Sequence, residues 1–354
     1  MRNPTLTVLT TVHNRERYLD QAIESILTQD FTDLEYVIVD DGSTDRTPEI
    51  LRHWAERDSR VVLACLPERT GIPRALNHGL ALARGQYVGK QDSDDICVGS
   101  RLRLQVELLD REPDVVLVSA NYKRIDAAGR WMGTRGVENP PELFPFLLNF
   151  SNTLVGAGSQ GMFRRDTARE LGGFNEDFEV SVDYEFWSRL VRRGRIVILP
   201  FIGLKCRLHG EQSSIQLAEL QQRNSRLTSR RMLTAYLERA IPDDEFNAVA
   251  SIWRHEGRVG VAAIGNNVLR EAYARFAVKA APSLRRRARR FIGGQWCLSA
   301  LRLAQLGHFA EAARYFGYAL VWHPAGLDVG ISRLAERLLV MVRRTLAATL
   351  IRLK

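Results

Sequence analysis

Between residues 6 and 120, short apolar runs alternate with stretches of helical periodicity, and three of the runs end in a polar cluster. Residues 6–11 (LTVLTT) read as a buried strand. In residues 17–29 the apolar positions Tyr18, Leu19, Ala22, Ile23, Ile26 and Leu27 fall on one helical face. Tyr36-Val37-Ile38-Val39 is a second strand, and Asp41-Gly42-Ser43 turns the chain into a helix reaching about residue 56. Ser43 or Thr44 is placed to cap that helix, with Pro48 in its first turns, where a missing N–H is tolerated. The rhythm continues with strand 61–66, helix 73–83, strand 86–90, helix 101–111 and strand 115–120. It predicts β-α-β units, hence an α/β fold built on a Rossmann-like, mostly parallel sheet flanked by helices.

In such sheets ligands bind beyond the carboxyl ends of the strands. That rule singles out residues 11–14, the pair Asp40-Asp41 and the run Asp92-Ser93-Asp94-Asp95. Two carboxylates one residue apart on an extended segment point the same way, so Asp92 and Asp94 can share a ribose and a divalent cation. A cation on a diphosphate needs few protein oxygens, because phosphates and water complete its shell. The competing reading of each cluster is a helix cap or a tight turn, and for Asp94 or Asp95 that would be a cap on the helix before Arg101.

Beyond Asp126 the pattern is less regular. Ala127-Ala128-Gly129 reads as a hairpin turn, 142–150 as a short helix, 184–193 as a helix, and 195–199 and 203–208 as strands. After residue 218 only helices are expected: 220–240, 245–253, 259–279, 294–306 and 309–323. The expected organisation is a catalytic domain over residues 1–215 and a helical one over 216–354. Within the latter, residues 295–324 suggest a tetratricopeptide-like helix pair, with a plain helical bundle as the preferred alternative, and 331–353 an amphipathic terminal helix. Charge divides at the same place: 27 Lys/Arg against 31 Asp/Glu in residues 1–215, and 23 against 10 afterwards. The basic half, with Arg285-Arg286-Arg287-Ala288-Arg289-Arg290, suits a phosphate-rich partner, of which an anionic membrane surface is favoured over nucleic acid.

The four cysteines form no C-x-x-C pair and no zinc spacing, which argues against a disulfide framework and for a reducing compartment. Neither a basic start with an apolar h-region nor an 18-residue apolar stretch occurs, so neither a signal peptide nor a spanning helix is expected. The expected location is the cytoplasm, with peripheral contact at the inner face of the plasma membrane.

Taken together, Thr10-Thr11-Val12-His13-Asn14-Arg15, then Val39-Asp40-Asp41-Gly42-Ser43-Thr44-Asp45, then Asp92-Ser93-Asp94-Asp95 resemble the family 2 glycosyltransferases of GT-A fold. The segments Ser25-Ile26-Leu27-Thr28-Gln29, Gly71-Ile72-Pro73-Arg74-Ala75-Leu76-Asn77 and Ala83-Arg84-Gly85-Gln86-Tyr87 agree, and the likeness covers roughly residues 5–215. What the resemblance implies is inverting transfer of a sugar from a nucleotide diphosphate, UDP being the commonest, to a hydroxyl of a glycan or lipid-linked acceptor in cell-surface polysaccharide synthesis. Thr11, His13, Asp41, Arg74, Asp92 and Ser93 would contact the donor, and Asp94 would ligate Mn²⁺ or Mg²⁺. His209, in the segment Arg207-Leu208-His209, would complete the metal shell. Where the family often has Pro-Tyr-Asn or Ser-Tyr-Asn after the first strand, this chain has Val12-His13-Asn14.

Asp183, in Ser181-Val182-Asp183-Tyr184-Glu185-Phe186-Trp187, resembles the family's general base, and an attacking hydroxyl does need a carboxylate within hydrogen-bond reach. Glu185 is expected to face solvent or pair with Arg189. Gly156-Ala157-Gly158-Ser159-Gln160-Gly161 satisfies G-x-G-x-x-G but precedes a strand-like run, so a dinucleotide site is rejected. A nucleotidyltransferase or a non-catalytic nucleotide-binding scaffold are the competing functions. The first usually needs a Gly-rich loop after strand one, and residues 11–15 lack glycine.

Overall fold

The computed structural model describes residues 3–136, 140–153 and 157–323. The chain divides into two compact units: Met1–Leu148 with Asn152–Thr228, and Asn149–Ser151 with Ser229–Lys354.

The first unit opens with the expected alternation: β1 (Leu6–Val12), α1 (Leu19–Leu27), β2 (Leu34–Asp41), α2 (Thr47–Arg57), β3 (Val61–Leu66), α3 (Ile72–Leu82) and β4 (Tyr87–Lys90). These four strands pair in parallel in the order β3-β2-β1-β4. Every residue of β2 is buried, as a strand covered on both faces requires. The helices lay their apolar faces on this sheet: Leu19, Ile23 and Ile26 of α1 join Val8, Ile38 and Leu51 in one core. Such burial stabilises by roughly 1.5–3 kcal/mol per large aliphatic side chain.

After β4 come β5 (Ile96–Cys97), α4 (Arg101–Arg111), β6 (Val115–Asp126) and β7 (Trp131–Arg135). A 3₁₀ turn at Pro141–Leu143 leads to α5 (Phe144–Leu147), α6 (Ala157–Gln160), β8 (Met162–Arg164), α7 (Arg165–Glu170), α8 (Val182–Leu190) and β9 (Arg195–Leu208). This half of the sheet is mixed rather than parallel. Strand β8 lies antiparallel between β4 and β6, β9 runs parallel to β6, and β5 and β7 add antiparallel edges. Antiparallel pairing enters where a tight connection replaces a helical crossover, as in the hairpin β6–β7, while β6 and β9 are joined through helices and stay parallel.

Strand β9 was expected as two strands broken at Pro200. It is continuous, and Pro200 falls where the β6 register skips between Leu199 and Ile202. On its other side β9 meets β5 only at Leu204 and Lys205, so the proline removes no ladder bond there. The cap expected for α2 is also different. The helix begins at Thr47, whose N–H is accepted by Asp45 Oδ1 at 2.9 Å. Ser43 instead accepts the Asn14 N–H through Oγ.

Helices α9 (Ser213–Gln216) and α10 (Ala218–Leu237) follow. The second unit is helical as expected: α11 (Asp243–Arg254), α12 (Ala262–Lys279), α13 (Pro282–Gln305) and α14 (Phe309–Trp322). Helix α13 is longer than its apolar pattern suggested and carries the arginine run Arg285–Arg290 in its first turns. Helices α13 and α14 pack as a pair around Trp296, which stacks on Tyr318 and meets Tyr315 edge-on. The terminal segment 331–353 lies outside the described residues.

Candidate active site

Strand β1 lies between β2 and β4, with Val12 level with Asp40 and Leu9 level with Lys90. The three strand-end clusters therefore meet at one edge. They open into a cleft of about 830 Å³ lined by Thr11, His13, Asp41, Arg69, Lys90, Asp92, Ser93, Asp94 and Asp183, among others.

On the β1–β2 side, His13 Nδ1 lies 2.8 Å from the Asp41 carbonyl oxygen. A carbonyl only accepts, so Nδ1 carries the proton and Nε2 is left free to accept. The Asp41 carboxylate is already engaged: Oδ1 accepts from the N–H and hydroxyl of Thr70, at 2.7 and 2.8 Å, and Oδ2 from the Gly71 N–H at 2.9 Å. Asp41 thus pins the loop that brings Arg69 to the cleft. Gly42 makes this turn possible at φ +68, and a Cβ there would lie 2.5 Å from the Glu68 backbone. Arg74 is not brought to the cleft. It sits on α3 and pairs with Glu176 at 3.3 Å.

The opposite wall holds a charge triad. Lys90, the last residue of β4, donates to Asp183 Oδ1 at 2.7 Å and lies 3.7 Å from Asp92 Oδ1. Burial alone would lower the Lys90 pKa, but the Asp183 and Asp92 charges outweigh it and hold the ammonium above the usual lysine range. Burial at the cleft floor raises Asp92, with the charges of Asp183 and Asp94 adding and Lys90 opposing. Its side chain still meets solvent over 47% of its area, so water moderates that rise. Asp183 stands in the first turn of α8. Before it, Ser181 holds a left-handed φ of 61 and is tied through Oγ to Gln221 O and Ser225 Oγ. A serine held in that region stores backbone strain, and the strain sits beside the proposed base. A Cβ on Gly158 would lie 2.7 Å from Asp183 Oδ2, so glycine there leaves the carboxylate room. Glu185 is buried and paired with Arg189 at 2.7 Å rather than facing solvent.

At the third corner, Asp94 Oδ2 and His209 Nε2 are 2.8 Å apart, and both residues are buried. Among the described residues His209 Nδ1 has no hydrogen-bond partner, its nearest carboxylate being Glu211 Oε2 at 4.0 Å. Arg207, two residues before His209, is buried and donates through Nε to the Asp94 carbonyl at 3.0 Å. Its guanidinium lies 4.6 Å over the Tyr18 ring, which itself packs on His209. Asp95 is not a helix cap. It accepts the Arg207 backbone N–H at 2.7 Å and a hydroxyl hydrogen bond from Ser159, which locks β9 to the acidic segment. Burial and then the Asp94 and Asp92 charges hold the Asp95 carboxyl well above the usual carboxylate range.

The structure therefore brings Thr11, His13, Asp41, Asp92, Ser93, Asp94 and Asp183 to one cleft, with His209 bonded to Asp94 behind it. It adds Lys90, Arg69 and Arg207. The signal for Lys90 was a lysine closing an apolar strand two residues before a carboxylate, which a search for acidic pairs passes over.

The sequence profile of glycosyl transferase family 2 matches residues 7–172, which carry the strand-end clusters of this cleft. Residues 7–172 form a domain of that family. An uncharacterized glycosyltransferase of Haemophilus influenzae is 28% identical over 250 residues, 67% of this chain and 75% of the relative. Chondroitin synthase of Escherichia coli is 30% identical over 226 residues, 63% of this chain but 32% of the synthase. The chain thus spans about a third of that larger protein. Among solved structures, Staphylococcus aureus TarS 1–349 in complex with UDP-GlcNAc aligns with TM-score 0.56 at 17% identity, over 92% of this chain and 93% of that one. The mannosyltransferase PcManGT from Pyrobaculum calidifontis, in complex with GDP-Man and Mn²⁺, aligns with TM-score 0.52 at 21% identity, over 90% and 87%. At these identities the likeness establishes the fold, which is GT-A.

Proposed function

We propose that the cleft transfers a sugar from a nucleotide diphosphate to an acceptor hydroxyl with inversion. The observation that carries this is the placing of Asp183 and Asp92 on one buried lysine, beside the Asp94–His209 pair. In this reading Thr11, His13 and Asp41 frame the nucleoside, Asp92 and Ser93 meet the ribose, and Arg69 replaces Arg74 on the donor side. Asp183 takes the proton of the attacking hydroxyl, while the hydrogen bond from Lys90 fixes the orientation of its carboxylate. Lys90 also contributes positive charge where the diphosphate leaves.

A divalent cation fits the Asp94–His209 corner. Asp94 Oδ2 and His209 Nε2, a carboxylate oxygen and an imidazole nitrogen 2.8 Å apart, would hold it, and no third His, Cys, Asp or Glu joins them among the described residues. Two protein ligands leave the remaining positions to phosphate oxygens and water. His209 would bind through Nε2, with Nδ1, which has no hydrogen-bond partner among the described residues, 4.0 Å from Glu211 Oε2. Such an ion would supply Lewis-acid stabilisation of the departing diphosphate.

The donor is tested by thermal stabilisation with UDP, GDP and dTDP, each with Mn²⁺ and with chelator. One nucleotide should raise the melting temperature, by several degrees more with Mn²⁺ than without. No shift with any nucleotide would count against the reading.

The acceptor is proposed to be a glycan, free or lipid-linked, with the second unit touching an anionic membrane through the arginines of α13. No described helix is long and apolar enough to cross a membrane. Full-length protein should therefore sediment with phosphatidylglycerol vesicles at low salt and be released at high salt. Protein that stays in the supernatant at low salt would refute the membrane contact.

A further inference from the structure

Outside the cleft, where β7, β6 and β9 run side by side, Lys123, Ile125, Gly129, Trp131, Thr134 and Lys205 line a hollow of about 460 Å³. The register puts Thr134, Lys123 and Lys205 in one row across the three strands. Like charges directly opposite on adjacent strands are unfavourable, yet Lys123 and Lys205 stand so, and neither has an ion-pair or hydrogen-bond partner among the described residues. This positive row lies on a unit whose sequence is acidic overall, so it is not a by-product of general basicity. One row along, Trp131 is level with Ile125. Ile125 is buried and floors the hollow, whereas Trp131 leaves 69% of its surface in water. An indole left exposed on a concave wall offers an apolar face to a ligand seated in the hollow.

We propose that this groove binds an anionic saccharide, the charged portion of the glycan that the enzyme extends. The indole face suits the C–H face of a pyranose, and two opposed ammonium groups suit a carboxylate or phosphate on the same or the next sugar. A nucleic acid or a lipid surface fits less well, because the aromatic and the lysines face a hollow the size of a short saccharide. The groove and the acidic segment of the cleft are joined by one stretch of chain. Lys205, Arg207 and His209 alternate along the same stretch of chain, and Arg207 holds Asp94 and Asp95. About 13 Å of extended chain separates Lys205 from His209, the reach of a short oligosaccharide.

The proposal rests on the glycosyltransferase reading for the ligand being a glycan, but its test reads binding alone. Calorimetry with the full chain would compare an oligogalacturonate hexamer, a phosphorylated oligosaccharide, maltohexaose and phosphatidylglycerol vesicles. At least one anionic oligosaccharide should bind at least tenfold tighter than maltohexaose. Trp131→Ala and the double variant Lys123→Gln/Lys205→Gln should each weaken that binding at least tenfold, and leave nucleotide-induced thermal stabilisation unchanged. All three positions are exposed, so folding is checked simply by circular dichroism. Equal binding of maltohexaose, wild-type binding by the variants, no saccharide binding at all, or loss only of vesicle binding would each overturn the proposal. Failure of nucleotide stabilisation in the wild type would instead overturn the reading of the cleft.

Discussion

Replacing Asp183 by asparagine is expected to lower the transfer rate about 10³-fold while leaving donor affinity within about threefold. The amide keeps the shape and can still accept from Lys90, but it cannot take a proton. Lys90 retains Asp92 at 3.7 Å, so its charge is not left without a counterion. That matters, because stripping a buried cation of every partner costs about 3–5 kcal/mol and would confuse loss of function with loss of fold. The split between turnover and binding separates the roles. A carboxylate that served only to position Lys90 would show its loss first in donor affinity. Turnover by Asp183→Asn at more than a tenth of the wild-type rate would remove Asp183 as the base.

The second large effect is expected at Asp94. Asp94→Ala should abolish the Mn²⁺-dependent part of donor binding and lower transfer at least about 100-fold, matching the wild type treated with chelator. Chelator added to the variant should then have little further effect, since ligand loss and metal loss act on one step. The two treatments multiplying instead of overlapping would place the ion elsewhere. The neighbouring carboxylates predict a different phenotype. Asp95 ties β9 to the acidic segment through Ser159 and Arg207, so Asp95→Ala should destabilise the fold rather than change the metal response.

How much of this was legible in the sequence follows from the physics of each element. Strands β1, β2 and β4 are buried on both faces and β3 lies apolar but only partly buried at the edge, so all four stand out as apolar runs, and the polar clusters at the ends of β1, β2 and β4 announce the sheet edge. The acidic run stands out because it closes an apolar strand, and Asp183 because its segment resembles the family's acidic motif, although a helix cap would look the same in sequence. Strand β5 is two residues long and carries no periodicity, whereas β8, with three, already reads as a strand-like run. The first turns of α13 are arginines, which mask a helix from an apolar search. Within the site, what sequence could not give was pairing over distance. Asp94 and His209 are 115 positions apart, and Lys90 and Asp183 are 93. Arg74 is what the family resemblance implies for the donor contact, and nothing in the sequence points to Arg69. Only the pinning of that loop by Asp41 decides which guanidinium enters the cleft.

The most direct test of the account is release of nucleoside diphosphate by the full-length protein from UDP-, GDP- and dTDP-linked sugars, with Mn²⁺ and a glycan acceptor pool. The account predicts release from one nucleotide class, stimulated by acceptor, lost with chelator and reduced about 10³-fold in Asp183→Asn. Release that ignores both acceptor and Asp183, or no release from any donor, would contradict it.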